Sequence, residues 1–557
     1  MSSENAWDDI YVLGCGEGGA GFQPSGKLET CPMAGADVVG SKAANLIRMA
    51  EAGLPVPPAF VLPIAQCRAY LQRSKGLPTD FAGRVAPAVK QIEKATGLTF
   101  SGGRRPLLVS VRSGAAVSMP GMMATILNVG LGERTLPALI RLTGNPRHAW
   151  DSYRRLVQTY AEVVHDLPAD PFERRLAEQS QREGVPAADE LDAAALKELT
   201  CEYLALFESQ TGRPFPQEPL AQLTGAIEAV FRSWQSPRAI EYRRMHSLND
   251  LAGTAVTVQA MVYGNMGRTS GSGVAFSRNP TTGENLLYLD YLANAQGEDV
   301  VSGRYPLQDS SSLQQTMPEL YRQLRKIGRQ LEKLFRDAQD FEFTVQEGHL
   351  HLLQSRRAKR TPWAALRIAC ELVQEGLIDE ATALKHLADR DLDAIENVRL
   401  ASPSEPPLCT GVPASAGVAV GTIAFDSETA VRSAAAGQPA LLLRTEIATT
   451  DIAGLAAAAG VLTSRGGRTS HAAVVARQLN KVCIVGCREL DIDTERRSCR
   501  LGSRWFHEGD MLTLDGQSGA VYAGRLDVVT EKPLIYLREI NRWKALLAEK
   551  PAPARVS

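Results

Sequence analysis

The sequence predicts a multi-domain α/β protein, and three observations lead to that prediction. The chain has 557 residues, more than one compact hydrophobic core usually contains. Helical and strand patterns are mixed over residues 1–356, whereas short apolar strands dominate from residue 411 onward. A segment rich in proline and serine, residues 402–413, separates these two regions and is typical of a linker.

Four segments follow from these patterns. Residues 1–356 form a mixed α/β region, and residues 357–410 form a connector that is helical before the linker. Residues 411–526 form a compact α/β domain, and residues 527–557 contain one helix and a tail. The strands expected in the third segment are Val418–Phe425, Ala440–Arg444, Gly460–Thr463, Val482–Val485 and Met511–Leu514, and the last helix is Pro533–Glu549.

The overall composition argues against several functions. Hydrophobic residues make up 44% of the chain, charged residues 22%, and the formal net charge is -1. Without a general excess of positive charge, neither nucleic acid nor an anionic membrane surface is an expected partner. No apolar run reaches the roughly 20 residues of a membrane span, and the N-terminus lacks the features of a signal peptide. The nine cysteines form no CxxC pair, which indicates free thiols and a cytoplasmic location.

The segment around His471 has the pattern of a phosphoryl carrier. A strand ends in the turn Gly466–Gly467, Thr469 or Ser470 is placed to cap a helix, and His471 falls in the first helical turn. The unpaired N–H groups at a helix start favour a neutral, nucleophilic imidazole and bind the phosphate once it is attached. The glycines allow a large phosphodonor to approach, and Arg468 adds a cation. A histidine that only caps the helix is the alternative, but this combination favours the carrier.

Arg112 is the first candidate for phosphate binding. The segment Pro106–Ser113 predicts a strand in which Ser110 and Arg112 share one face. Arg112 therefore lies at the strand end, where the glycine-containing segment Gly114–Met123 begins. A guanidinium beside such a loop suits triphosphate binding, because its planar fork matches phosphate oxygens. From this segment alone, an ordinary surface ion pair is the alternative.

Lys42 is the second candidate, because the segment Val39–Leu46 places it at the start of a helix. A cation there is disfavoured by about 0.3–1 kcal/mol unless an anion is nearby. A phosphate of ATP would supply that anion. The segment is not a Walker A motif, since Gly40 is followed by Ser41 rather than by lysine.

The alternating segment 340–356 predicts a β-hairpin with a three-residue turn. Asp340 and Glu342 then lie on one face about 7 Å apart, because a strand rises ~3.4 Å per residue. In this register Asp340 faces Gln354, and Arg356 continues the same face. Two carboxylates, an amide oxygen and a guanidinium can hold Mg²⁺ and the phosphates that it bridges. An exposed strand face with ordinary charges is the alternative.

Two histidines of the same hairpin, His349 and His351, are two positions apart. They therefore lie on the same face of the strand and could be mistaken for a metal pair. In the register above they lie on the opposite face from the carboxylates, beside Phe343 and Val345. We expect them to be structural residues.

Three of these segments resemble motifs of the pyruvate phosphate dikinase family. Gly466–Arg477 resembles the phosphohistidine motif that this family shares with phosphoenolpyruvate synthase, rifampicin phosphotransferase and phenylphosphate synthase. The dikinases usually have methionine in place of Arg468. Val109–Asn128 resembles the segment that covers the phosphates, and the 340–356 hairpin resembles the ATP-grasp metal site. The similarity extends over residues 25–530, which is nearly the whole chain.

The resemblance implies an ATP-grasp-type nucleotide-binding region over residues 1–356 and a swivelling β/β/α phosphohistidine domain over residues 411–526. It implies that His471 takes the β-phosphoryl group of ATP with Mg²⁺ as cofactor, while AMP leaves and inorganic phosphate takes the γ-phosphoryl group. The implied ATP-binding residues are Lys42, Arg112, Glu298, Asp299, Glu342, Gln354 and Arg356, and the implied metal ligands are Asp340, Glu342 and Gln354. Ser41 and Ala43 depart from the usual Gly-Gly-Lys-Gly, and Asp290 stands where the family usually has glutamate.

The resemblance implies the phosphoryl donor but does not define the final acceptor. The dikinase continues into a β/α barrel that binds pyruvate and phosphoenolpyruvate, and residues 527–557 are too few for it. We therefore expect His471 to pass its phosphoryl group to an acceptor bound by a separate chain, such as a pyruvate barrel or the acceptor subunit of a phenylphosphate-synthase-like system.

Two alternatives to this separate acceptor chain remain. One is a self-contained kinase of a small hydroxyl or phenolic acceptor, although residues 357–410 are too few for an inserted acceptor domain. The other is a non-catalytic nucleotide-sensing scaffold, against which the intact set of candidate residues argues.

Two further expectations concern motion and regulation. Because His471 and the ATP site lie in different segments, the small domain has to swing about its linkers between donor and acceptor. Thr469 resembles a threonine whose phosphorylation silences some dikinases, since a second dianion there would repel phosphate at His471. A structural role for Thr469 as a helix cap is the alternative.

Overall fold

A computed structural model describes residues 7, 9–14, 35–73, 76–117, 119, 123–185, 190–301, 307–401, 405–448, 451–468 and 470–548. The chain forms two compact units. The first comprises residues 1–270 and 344–355, and the second comprises residues 271–343 and 356–557. Both mix helices and strands, so the α/β class expected from the sequence is confirmed.

The first unit is built on a five-stranded antiparallel sheet with the order β1-β2-β5-β3-β4. Its apolar strands are buried because helices cover them, and their side chains join those of the helices in one large core. The strands are β1 Tyr11–Leu13, β2 Ala59–Leu62, β3 Val109–Gly114, β4 Thr125–Val129 and β5 Ala255–Ala260. The helices are α1 Ala36–Glu51, α2 Ile64–Gln72, α3 Phe81–Thr96, α4 Leu136–Thr143, α5 Pro146–Val164, α6 Asp170–Glu183, α7 Ala193–Thr211, α8 Pro219–Ser233 and α9 Pro237–Met245.

A four-stranded sheet with the order β7-β6-β8-β9 follows along the chain. Its strands are β6 Gly271–Phe276, β7 Tyr288–Ala293, β8 Gln339–Gln346 and β9 His349–Arg357, and its helices are α10 Gly297–Val301, α11 Ser310–Thr316 and α12 Pro318–Phe335.

The predicted hairpin 340–356 is confirmed, but its predicted turn is wrong. The turn consists of Glu347 and Gly348 alone, both with positive φ. That conformation matches the twist of the flanking strands and favours a two-residue turn over a three-residue one.

The helical connector is confirmed as helices α13 Pro362–Gln374 and α14 Glu380–Leu387, and the last helix as α18 Leu534–Ala548. These three helices share one core, to which α18 contributes Ile540 and Trp543. Between them, strand β10 Asn397–Leu400 pairs antiparallel with strand β22 Val528–Glu531. The chain therefore enters and leaves the intervening domain through one two-stranded ribbon.

The domain between these two strands, residues 409–526, is called the eight-stranded domain below. The order of its large sheet is β11-β21-β20-β13-β14-β15-β16-β12, and a small sheet has the order β17-β18-β19. All five predicted strands are present. The strands are β11 Cys409–Thr410, β12 Val412–Ser415, β13 Val418–Ala424, β14 Ala440–Arg444, β15 Gly460–Thr463, β16 Val482–Val485, β17 Leu490–Asp493, β18 Ser498–Leu501, β19 Arg504–His507, β20 Met511–Asp515 and β21 Ala520–Ala523, and the helices are α15 Ser427–Ala435, α16 Ile452–Ala457 and α17 His471–Gln478.

Both faces of the large sheet are covered, which explains its continuous apolar strands. Alternate side chains of β14 enter two different cores: Leu441 and Leu443 enter one, and Leu442 enters the other. Helices α15–α17 cover the Leu442 face, and the small sheet covers the opposite face. The end of the predicted linker is part of this fold, because Cys409 and Thr410 pair with β21. Among the described helices, none is long and apolar enough to cross a membrane.

Candidate active site

His471 is the first residue of helix α17, as the sequence predicts. Ser470 is the cap: its backbone is extended, and its hydroxyl accepts a hydrogen bond from the N–H of Ala473 at 3.4 Å. Gly466 has a φ of 114°, which a residue with a side chain rarely adopts. The predicted turn and cap are therefore confirmed, while Thr469 and the side chain of His471 lie outside the described part of the chain.

Gly467 allows this turn to lie directly against strand β7 of the four-stranded sheet. A Cβ atom added at Gly467 would be 2.4 Å from Cδ1 of Leu307 and 3.1 Å from Oδ2 of Asp290. Asp290 is buried on β7. Within the second unit, the start of the His471 helix therefore faces the carboxylate of Asp290, the residue that departs from the family's glutamate.

Asp340 is the most deeply buried of the predicted metal ligands, with 3% of its surface exposed. Nε of Arg356 donates to both of its carboxylate oxygens, at 2.6 and 2.8 Å. The predicted register, in which Asp340 faced Gln354, is corrected because it required a three-residue turn, and the ion pair joins Asp340 to Arg356 instead. The N–H of Ala358 donates to the carbonyl of Ala338 at the open end of the hairpin.

The electrostatics of Asp340 fit a cation site. Burial raises the pKa of its carboxyl group to about 6, while Arg356 acts in the opposite direction and Glu342 adds to the rise. Two carboxylates, those of Asp340 and Glu342, thus act on the single guanidinium of Arg356. A hard divalent cation such as Mg²⁺ prefers carboxylate oxygens, so Asp340 and Glu342 fit the predicted Mg²⁺ site.

Arg477, two turns after the start of α17, is a site residue that the sequence reasoning missed. It is 1% exposed, and its Nη1 donates to the carbonyls of Ala414 at 2.8 Å and Arg468 at 2.9 Å. Among the described residues, its Nε and Nη2 atoms have no hydrogen-bond partner. Burial lowers the pKa of its guanidinium, and Asp290 and Asp340 act in the opposite direction. The site thus contains a buried cation with unused donors beside two carboxylates.

The sequence did contain a signal for Arg477. The other residues of α17 up to that point are small or apolar, Ala-Ala-Val-Val-Ala after His471. A single arginine among them on a short helix has to be buried with the helix, and such an arginine needs partners.

Arg468, which the sequence predicts to be a cation beside His471, contacts two residues from an earlier part of the second unit. Its Nη2 lies 3.6 Å from Oδ2 of Asp309, and its guanidinium carbon lies 5.1 Å from the centre of the Tyr288 ring. The hydroxyl of Tyr288 donates to the carbonyl of Pro413 at 2.9 Å. These contacts join the turn before His471 to the four-stranded sheet, and Tyr288 and Asp309 were not anticipated from the sequence.

Lys42, Arg112 and Gln354 belong to the first unit. Helix α1 is interrupted at Gly40, whose φ of 79° is not helical, so Lys42 lies in the first turn after the interruption. The backbone at Gly40 lies against the carbonyl of Gly114, at the end of the strand that carries Arg112. The predicted position of Lys42 at a helix start is therefore confirmed.

Two further contacts hold these candidates of the first unit together. The N–H and the hydroxyl of Ser41 both donate to the carbonyl of Ala115, at 2.9 and 3.1 Å. The Asn45 side chain donates to the carbonyl of Ser355, next to Gln354, at 2.7 Å. The departure Ser41 thus has a structural role, because it ties α1 to the segment after β3.

Glu298 and Asp299 lie on the short helix α10, which contacts strands β6 and β7. Glu298 is exposed, and Asp299 accepts a hydrogen bond from the N–H of Gln296 at 3.0 Å. They share the sheet that carries Asp290, and their role in nucleotide binding stays a prediction.

Comparison with known proteins agrees with this geometry. The family model described as pyruvate phosphate dikinase, AMP/ATP-binding domain, matches residues 73–320, which include Arg112, Glu298 and Asp299. The model described as PEP-utilising enzyme, mobile domain, matches residues 436–519, which include His471. The chain therefore combines a nucleotide-binding region with the mobile domain of a phosphoenolpyruvate-utilising enzyme, which defines a class of phosphotransferases.

Curated relatives make the assignment specific. The chain is 44% identical over 495 residues to pyruvate, phosphate dikinase of Clostridium symbiosum, covering 88% of this chain and 57% of that protein. It is 40% identical over 569 residues to the dikinase of Rhizobium meliloti, covering 98% and 62%, and 43% identical over 491 residues to the chloroplastic dikinase of Flaveria pringlei, covering 88% and 51%. The chain belongs to the pyruvate phosphate dikinase family, and it spans between half and two thirds of the length of these relatives.

Proposed function

We propose that this chain uses ATP to phosphorylate its own His471, as the first half of a dikinase-type reaction. The observation that carries the proposal is the close approach of the Gly467 turn to Asp290, beside Asp340 and Arg477. A helix start that presents a histidine to a cation site is the arrangement that phosphoryl transfer from a nucleotide requires.

In this reaction an imidazole nitrogen of His471 attacks the β-phosphorus of ATP. A P–N bond forms, the bond from that phosphorus to the oxygen bridging to the α-phosphorus breaks, and AMP leaves. The γ-phosphoryl group passes to inorganic phosphate and gives pyrophosphate. Phosphohistidine remains, and the helix N-terminus binds its negative charge.

Different side chains hold the phosphates, the nucleotide and the metal ion in this proposal. Lys42, Arg112 and Arg356 supply positive charge for the phosphate oxygens, and Gln354, Glu298 and Asp299 contribute further contacts to the nucleotide. Asp340, Glu342 and Gln354 would hold Mg²⁺, which neutralises charge on the phosphates when it is bound.

We further propose that the acceptor is bound by a separate chain, as by a pyruvate barrel. The two-stranded ribbon β10–β22 supports transfer to a separate chain. It joins the eight-stranded domain to the rest of the second unit through two adjacent strands, so the domain can turn as one body. A cytoplasmic location is part of the proposal, and the seven described cysteines, all free, support it.

The test uses ATP labelled with ³²P at the β-phosphate. We expect acid-labile label on the wild-type chain and none on His471→Ala. His349→Ala is the matched control, since His349 is exposed and lies outside the site, and it should be labelled normally. An unlabelled wild type would contradict the proposal, as would label on His471→Ala.

A second step identifies the acceptor. The labelled chain is isolated and mixed with pyruvate alone, with a separately purified pyruvate-binding barrel, and with both. Loss of label that requires both additions supports a separate acceptor chain. Loss of label to a small hydroxyl compound without a second protein would instead indicate a self-contained kinase.

A further inference from the structure

Cys409 and Cys487 lie side by side in a core of the eight-stranded domain. Their sulfur atoms are 3.1 Å apart, although 78 positions separate them in the chain. Cys409 is 4% exposed, and Cys487 is fully buried. A carboxylate oxygen of Glu489 lies within 4.8 Å of both sulfur atoms.

The distance between the two sulfur atoms distinguishes two kinds of chemistry. Two thiolates on a tetrahedral zinc ion, each about 2.3 Å from the metal, have their sulfur atoms roughly 3.8 Å apart. A disulfide bond is about 2.05 Å long. The observed 3.1 Å is already too short for the zinc pair, and a movement of about 1 Å would form the bond.

The two thiols are chemically unequal. The hydrogen bond between them lowers the pKa of Cys487 and raises the pKa of Cys409. Cys487 is therefore the sulfur that carries more thiolate character. The thiolate is the form that reacts with oxidants.

Access to this pair lies on the side of Cys409. It belongs to the two-residue strand β11, at the edge of the large sheet, and the residues before it, Glu405 to Pro407, are exposed. A strand this short at a sheet edge opens at small cost in free energy. A small oxidant can then reach both sulfur atoms.

We infer that Cys409 and Cys487 form a reversible disulfide when the chain meets a hydroperoxide, and that this bond alters the turn before His471. The Cys487 thiolate attacks the peroxide oxygen, giving a sulfenic acid and hydroxide. The Cys409 sulfur then attacks the sulfenic sulfur, its proton leaves with the expelled hydroxide as water, and the S–S bond forms. Two thiols are oxidised, and one molecule of hydrogen peroxide is reduced to two of water.

The link from this bond to the His471 turn runs through two short contacts. The N–H of Cys487 donates to the carbonyl of Thr463 at 2.9 Å, at the end of strand β15. The preceding residue, Gly486, lies so close to the carbonyl of Gly466 that an added Cβ would be 2.7 Å away. The disulfide bond would draw Cys487 toward β11 and weaken these two contacts. The Gly466–Gly467 turn would then be held less firmly.

The experiment treats the full chain with hydrogen peroxide, alkylates it under denaturing conditions, and measures its mass. We expect two fewer alkyl groups than on the untreated chain, a peptide that links Cys409 to Cys487, and recovery of both alkylation sites with dithiothreitol. Cys409→Ala should not form this link. Cys499→Ser, a change in the same core, should still form the link, as should Cys201→Ser at an exposed cysteine.

Three measurements can overturn the inference. Zinc that co-purifies with the chain and depends on Cys409, Cys487 and Glu489 would indicate a metal site instead of a disulfide, and a linked peptide that contains Cys499 would show that the wrong pair was assigned. Hydrogen exchange at the amides of residues 464–468 should become about threefold faster in the oxidised chain and return on reduction. Unchanged exchange would disprove the link to the turn. None of these measurements depends on the proposed function, since no nucleotide is involved.

Discussion

At the scale of single residues, Gly467 sets the distance between the histidine turn and strand β7. In Gly467→Ala the new Cβ would be 2.4 Å from Cδ1 of Leu307 and 3.1 Å from Oδ2 of Asp290, so these side chains or the turn have to move. A displacement of this kind costs on the order of 10²-fold in rate when it separates reacting groups. We expect ³²P labelling of His471 to slow by that order with little loss of stability. Gly83→Ala, where an added Cβ meets nothing, is the control, and equal rates for both variants would refute the argument.

His148 makes the stability of the first unit depend on pH. Burial lowers its pKa from 6.5 to about 4, with Asp151 acting in the opposite direction. Above pH 6.5 the contribution of His148 to the free energy of unfolding is complete. Between pH 6.5 and 4 the unfolded chain binds a proton at this histidine that the folded chain does not bind. The free energy of unfolding should therefore fall as the pH falls, by about 3 kcal/mol over this range.

Urea unfolding at several pH values tests this assignment. His148→Phe should remove most of the decline between pH 6.5 and 4, because phenylalanine takes up no proton. His246→Phe is a comparison at a more exposed position and should leave the decline in place. The same decline in His148→Phe would show that another group is responsible.

At the residue scale, the residues of the candidate site were easier to predict than the residues that they contact. The sequence could predict the cap at Ser470, the position of His471 and the position of Lys42, because capping and glycine preferences act over a few neighbouring residues. The contacts of Arg468 with Asp309 and Tyr288 depend on segments more than 150 positions apart, and local pattern carries no information on such contacts.

At the scale of elements, the ribbon β10–β22 is the hinge that we propose for the eight-stranded domain. Val398 lies directly opposite Thr530 in it, so the pair Val398→Cys with Thr530→Cys is within reach of a disulfide. We expect the oxidised double variant to take label from ATP and to be slow in passing it to the acceptor chain. Dithiothreitol should restore the transfer. Unimpaired transfer in the oxidised form would mean that the ribbon does not bend during the cycle.

Strands and helices of this chain could be predicted wherever the apolar period was strong. The five strands of the large sheet were expected because both of their faces are covered, which leaves continuous apolar runs. The small sheet β17–β19 was missed, since its short strands alternate polar and apolar residues like the surrounding loops. The turn at Glu347–Gly348 was misjudged because a left-handed glutamate is uncommon there.

At the scale of the whole molecule, the two compact units should unfold separately. Trp543 is buried in the core that α18 shares with α13 and α14, and replacing such a side chain with alanine costs about 3–5 kcal/mol. In calorimetry we expect two transitions, with Trp543→Ala lowering the Tm of one and His148→Phe altering the other at pH 5. A single transition that both variants shift equally would show that the units unfold together.

The ribbon β10–β22 also has a consequence for how such a protein is assembled from parts. Because Leu400 pairs with Val528, the polypeptide can in principle pass from one to the other through a short turn, and the whole eight-stranded domain becomes an insertion. An insertion whose two ends touch can be removed, exchanged or transplanted without rearranging its host. The domain that contains His471 should therefore be exchangeable as one piece for the corresponding domain of a relative, and such an exchange would test whether this domain determines the proposed acceptor.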